Sequence, residues 1–141
     1  ASNVLVTRHI LPTPNLPMVH RALGGPYAGL LAARNALLDI SVSDDLAEGG
    51  TYIVPGHGRI CDTADLVEYR DMVQEIRDRV KKLAGEGKTL AQVKAAHPAI
   101  GWEGRYSQPG WTADMFIDAI YPELAPPPAP ARGAQPQRGR R

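Results

Sequence analysis

The sequence has little cysteine and no long apolar run. Cys61 is its single cysteine, so this chain alone can form neither an internal disulfide nor a thiolate metal cluster. No apolar stretch approaches the roughly 18 residues that a membrane-spanning helix needs, so we predict no membrane span. Residues 1–7 have neither the basic nor the apolar segment of a signal peptide. What is left is an ordinary globular composition, with 43% hydrophobic and 22% charged residues over 141 positions.

Acidic residues are missing from the end of the chain. Residues 125–141 are rich in proline and carry four of the 16 basic residues, Arg132, Arg138, Arg140 and Arg141. We predict that this segment is a disordered Pro/Arg-rich tail after a folded part at 1–124, because it lacks the apolar content to offset chain entropy. The folded part then has 12 basic against 15 acidic residues, a net charge of about −3. That balance argues against a specific nucleic-acid partner for the fold, although the tail could contact nucleic acid or an acidic membrane.

Apolar patterning predicts an α/β (α+β) fold that is rich in helix and poor in strand. Val4 to Val6 and Thr51 to Val54 are short apolar runs typical of buried strands. Between Arg8 and Pro26, four prolines and a Gly-Gly pair exclude a long regular element. The predicted helices cover residues 27–40, a long segment after an N-cap at 62 or 63, residues 90–96 after Thr89, and a last segment after Thr112.

His57 is the sharpest chemical feature of the sequence. It stands in Pro55-Gly56-His57-Gly58, immediately after the second predicted strand. Glycines on both sides would let a ligand or metal approach closely, and a neutral imidazole is a good zinc ligand. The residues alone leave two interpretations open: a metal ligand, or an exposed histidine in an ordinary turn.

A longer set of motifs resembles the metallo-β-lactamase-fold hydrolases over roughly residues 27–124. The set comprises Tyr52-Ile53-Val54-Pro55-Gly56-His57-Gly58, Asp62, Glu68-Tyr69-Arg70, Glu86-Gly87-Lys88-Thr89-Leu90, Val93-Lys94-Ala95-Ala96 and Trp111-Thr112-Ala113-Asp114-Met115-Phe116. The resemblance implies the C-terminal half of an αββα sandwich, a partial metallo-β-lactamase domain. It also implies that His57 is the last ligand of a two-zinc site that activates a hydroxide.

The other ligands of that family are mostly missing. No two of the four histidines are separated by a single residue, so the His-x-His-x-Asp-His cluster is absent. If the first strand aligns with the family, Asn3 stands where a bridging aspartate is expected, and an amide is a weaker, neutral ligand. His9 and His20 are candidate neighbours of a metal site, or else surface histidines of the Pro-rich loop. His97, at a helix end, better suits a charge–dipole role.

Three aromatic residues could line a substrate entrance. These residues are Trp102, Tyr106 and Trp111, in a turn-rich stretch before the last predicted helix. The competing interpretation is an aromatic cover over the last helices.

The sequence thus predicts a fragment resembling a zinc-dependent metallo-hydrolase that cleaves an ester, lactone or amide bond of an unidentified small molecule. Catalysis would require a missing N-terminal half or a partner chain. An isolated half would expose the apolar face that normally packs on the other sheet, which predicts association or instability. The alternative is a non-catalytic half-domain that acts as an interaction or packing module.

Overall fold

The computed structural model describes residues 3–8, 10–12, 15–18, 27–43 and 49–126. Two strands and five helices follow one another in these residues: β1 (Asn3–Arg8), α1 (Tyr27–Ile40), β2 (Thr51–Pro55), α2 (Thr63–Gly85), α3 (Leu90–Ala95), α4 (Glu103–Tyr106) and α5 (Ala113–Leu124). The mixed, helix-rich composition predicted from the sequence is confirmed, and α4 is an additional short helix. None of the described helices is both long enough and apolar enough to cross a bilayer. The predicted tail lies outside the described residues from position 127 onward.

The two strands form a parallel pair in which Asn3 is opposite Thr51 and Val6 is opposite Val54. An irregularity between Val6 and Arg8 then brings Arg8 opposite Pro55. Both strands therefore end at the same edge of the sheet. We call it the carboxyl edge, and the loop that carries His57 starts there.

One face of this sheet is exposed, which corrects the prediction that β1 is a buried strand. Val4 is 57% exposed, Val6 is 71% exposed and Tyr52 is 46% exposed. Val4 is opposite Tyr52 and Val6 is opposite Val54, so these four side chains share one face, the valine face. On the other face Ile53 is fully buried. On this buried face Ile53 belongs to the hydrophobic core, and α2 packs against β2.

Helix α2 is the centre of the helical layer. Asp62 caps it and forms a capping box with Asp65, which confirms the first of the two N-cap positions, 62 and 63, that the sequence predicts. The sequence predicts an apolar seam on this helix at spacings of three and four: Leu66, Tyr69, Val73, Ile76, Val80 and Leu83. The first five are inaccessible to solvent, as is Met72, whereas Leu83 is half-buried. Helices α1, α3 and α5 all pack against it. The second capping box, between Thr89 and Gln92 at the start of α3, is also confirmed.

A buried arginine attaches the segment after β1 to the helices. Arg34 of α1 is fully buried, and its Nε donates to the carbonyl oxygen of Ile10 at 3.0 Å. Its guanidinium lies 5.0 Å from the ring centroid of Tyr69, whose hydroxyl donates to the carbonyl oxygen of Asn15 at 2.7 Å. Burial lowers the pKa of Arg34. Arg34 and Tyr69, on helices that are far apart in sequence, thus both bind backbone carbonyl groups of the segment after β1.

Candidate functional site

The loop that carries His57 is closed at its base by a pair of backbone hydrogen bonds. The amide of Ile53 donates to the carbonyl of Cys61, and the amide of Cys61 donates to the carbonyl of Ile53, both at 2.8 Å. Ile53 is in the middle of β2, so the chain leaves the strand, passes His57 and returns beside the same strand. This closure restricts the loop between residues 54 and 60 to a short reversal at the carboxyl edge.

Gly56 fixes the loop against the other strand. Its amide donates to the carbonyl oxygen of Arg8 at 2.8 Å. A Cβ atom at position 56 would lie 2.9 Å from both the carbonyl carbon and the carbonyl oxygen of Arg8. Only glycine permits this approach without a backbone shift. On the other side of His57, Gly58 has a φ of 94°, a left-handed conformation that L side chains rarely adopt. The two glycines around His57 therefore meet different geometric requirements.

The charged groups just beyond the loop stabilise the start of α2. Asp65 is paired with Arg59 and also accepts from the amide of Asp62. Burial raises the pKa of Asp65, but the hydrogen bonds from Arg59 and Asp62 outweigh it and hold that pKa below its ordinary range. The carboxylate of Asp65 is thus engaged in the helix cap and in an ion pair.

His57 itself is exposed at the carboxyl edge. Among the residues that the structure describes, no three His, Cys, Asp or Glu side chains come together in a group that could hold a metal ion. A catalytic zinc site needs at least three protein ligands. The described residues on their own therefore do not fit zinc, and no catalytic step through a metal follows from them.

The remaining candidate ligands are not brought to His57 within the described residues. Asn3 is at the amino end of β1, opposite Thr51, whereas His57 follows Pro55 at the carboxyl end of β2. Four residue steps separate Thr51 from Pro55, or roughly 13 Å along the strand. That is far more than the separation of two ligands on a shared ion. His9 and His20 lie outside the described residues, and His97 is exposed with a φ of 46°.

The three aromatic candidates make contacts along the helical layer. Tyr106 is buried and meets the ring of Tyr69 edge-on, with centroids 5.7 Å apart. Trp102 packs against Tyr106, and its Nε1 donates to the carboxylate of Glu75 at 2.8 Å. Trp111 is half-buried. Tyr106 and Trp102 thus contact α2, and the substrate-lining role of the three aromatic residues stays a prediction.

Comparison of the chain with protein-family models, with curated proteins and with solved structures found no match.

Proposed function

We propose that this chain is part of a metallo-hydrolase of the metallo-β-lactamase kind, in which His57 supplies one ligand of a zinc site. The observation that carries the proposal is the way in which the chain presents His57. A closed loop projects the imidazole from the edge at which both parallel strands end, and ligand sites in open α/β sheets lie outside the carboxyl ends of the strands. The sequence motifs around His57 support the same assignment.

The remaining ligands would come from polypeptide that the described residues do not include. Zinc, when bound, would supply a Lewis acid and lower the pKa of a bound water. The part of this chain in the reaction is to hold the His57 imidazole at a fixed position, through the Ile53–Cys61 closure and the contact of Gly56 with Arg8. The substrate would be a small molecule with an ester, lactone or amide bond.

Zinc content, measured by elemental mass spectrometry, tests the proposal. The measurement is made on the 141-residue chain and on the chain together with whatever coding sequence precedes Ala1 in its gene. His57→Ala is compared with a matched control, His97→Ala, which changes another exposed histidine. We expect less than stoichiometric zinc in the 141-residue chain. In the longer chain we expect about one to two ions, unchanged in His97→Ala and reduced by half or more in His57→Ala. Equal zinc in both variants, or none in the longer wild-type chain, contradicts the proposal.

The exposed valine face favours a second candidate, a non-catalytic module that packs on another sheet. Val4 and Val6 would be covered in such a complex whether or not a metal is bound. A longer chain that is stable and covers these valines but retains no zinc would support this candidate against the hydrolase.

A further inference from the structure

A groove on the helical layer combines an apolar floor with positive charge on one wall. It lies between α1, α2 and the C-terminal end of α5, and has a volume of about 460 Å³. Ligand pockets commonly enclose about 300–1,000 Å³. The apolar part of its lining, which we call the floor, includes Leu31 and Ala32 of α1 and Leu124 of α5. We call this space the three-helix groove.

Two cationic side chains of α2 line one wall of the groove. Arg77 and Lys81 are four residues apart, so they project from the same side of the helix. Among the described residues, Arg77 has an ion pair only with its neighbour Asp78, at 3.4 Å and partly exposed, which contributes little. Lys81 is exposed and forms no ion pair with a described residue. Both cations can therefore bind an added anion without breaking a strong interaction.

Among the described residues, Glu123 is the one carboxylate that lines the groove, and it is already engaged. The single backbone N–H of Tyr27 donates a bifurcated hydrogen bond to both carboxylate oxygens of Glu123, at 3.1 and 3.0 Å. Tyr27 is the first residue of α1, where the helix dipole favours a negative charge. Glu123 thus stabilises the start of α1 and keeps its charge, so the two cations leave the described lining with a net charge of about +1.

We propose that the three-helix groove binds an aliphatic carboxylate. Its carboxylate would pair with Arg77 and Lys81, and its hydrocarbon chain would cover Leu31 and Leu124. The apolar floor distinguishes such a ligand from a small hydrated anion, and the two cations distinguish it from a neutral lipid. This site is separate from His57, so it stands independently of the proposed metal chemistry.

Isothermal titration of the 141-residue chain with monomeric decanoate tests the proposal, with decanol and acetate as comparison ligands. We expect saturable one-site binding of decanoate, with decanol and acetate at least tenfold weaker, because each lacks either the charge or the chain. Replacing Arg77 and Lys81 together by glutamine should weaken decanoate at least tenfold. Lys82→Gln, next to Lys81 but outside the groove, should leave the affinity unchanged.

A second pair of variants tests the place of binding without removing charge. Ala32→Trp introduces a large side chain at an exposed position of the groove, and Ala36→Trp does the same one turn further along α1. We expect loss of decanoate binding in the first and retention in the second, with both variants folded by circular dichroism. Absence of saturable binding, equal binding of decanol, or binding that survives Ala32→Trp but is lost in Val6→Lys would overturn the proposal. The last result would place decanoate on the valine face.

Discussion

Replacing Gly56 by alanine tests whether the loop that carries His57 is held against β1 as the structure has it. The added methyl group would lie 2.9 Å from the carbonyl carbon and oxygen of Arg8, and 3.2 Å from its Cα. All three are backbone atoms, so neither partner can avoid the contact by changing a rotamer. Overpacking of this kind costs about 1–3 kcal/mol of unfolding free energy. The shift would also weaken the hydrogen bond from the amide of Gly56 to the carbonyl of Arg8.

Gly85→Ala is the matched control, because it makes the same chemical change where nothing lies within 4 Å of the added Cβ. Gly85 is the last residue of α2, where alanine should raise stability by about 0.5–1 kcal/mol. The assay is urea unfolding followed by circular dichroism. With a slope of about 1.5 kcal/mol/M, the Gly56→Ala midpoint should fall by roughly 0.7–2 M. The midpoint of Gly85→Ala should rise. A Gly56→Ala chain as stable as the wild type would refute the close approach of the two strand ends.

Three further predictions concern the free energy of unfolding and the side chains that cap or bridge the helices. Asp62→Ala should lower the free energy of unfolding, measured by the same urea assay, by about 1 kcal/mol because α2 loses its cap. The control is Asp71→Ala, at an exposed position within α2, which should change that free energy little. Tyr69→Phe should cost about 1 kcal/mol, since its hydroxyl donates to the carbonyl of Asn15, and an unchanged urea midpoint would contradict that bond. Burial raises the pKa of Tyr27 to about 12, so the folded chain keeps a proton that the unfolded chain releases near pH 10. Below about pH 10 the Tyr27 hydroxyl should not affect the free energy of unfolding. Above about pH 10 that free energy should fall by up to about 1.4 kcal/mol per pH unit. Tyr27→Phe should make this fall with pH less steep.

The helices were predictable because their signals are local. Asp62 and Thr89 each form a cap with a residue three positions later, and the seam of α2 repeats within one element. The burial of the Arg34 side chain is hard to predict from the sequence for the opposite reason. A charged residue next to apolar positions of α1 normally reaches solvent, and its burial depends on Tyr69 and Ile10, which are distant in sequence. The available sequence signal is that Arg34 is the single basic residue of α1, which is mostly apolar or small apart from Asn35 and Asp39.

The strands show where sequence patterning reaches its limit. A run such as Val4-Leu5-Val6 has the same composition whether one face or both faces of its strand are covered. The turn at His57 could be predicted from its glycines. Its closure against Arg8 could not, because that contact depends on which strand pairs with β2 and in which register. Ligand counting needs only composition and spacing, and its expectation that the family's other ligands are missing from this sequence stays a prediction.

The free energy gained by covering the valine face determines which oligomeric state we expect for the 141-residue chain. A fully buried valine contributes about 1.5–3 kcal/mol, and Val4 and Val6 have 57% and 71% of their surface left to bury, with 46% at Tyr52. Covering this face is therefore worth about 3–5 kcal/mol per copy. A symmetric dimer would gain about twice that, against about 4–15 kcal/mol for lost translational and rotational freedom.

We therefore expect the 141-residue chain to be a monomer at about 10 µM and to associate weakly only toward millimolar concentration. Sedimentation equilibrium measures this directly. Val6→Lys should reduce the weak association further, whereas Lys82→Gln, on the helical layer, should not. A tight dimer with a dissociation constant below about 1 µM would contradict this estimate. It would mean that a larger surface than the valine face is buried between copies. A segment joined covalently to β1 would not lose this translational and rotational freedom, so the same few side chains would hold it more readily than they hold a separate chain.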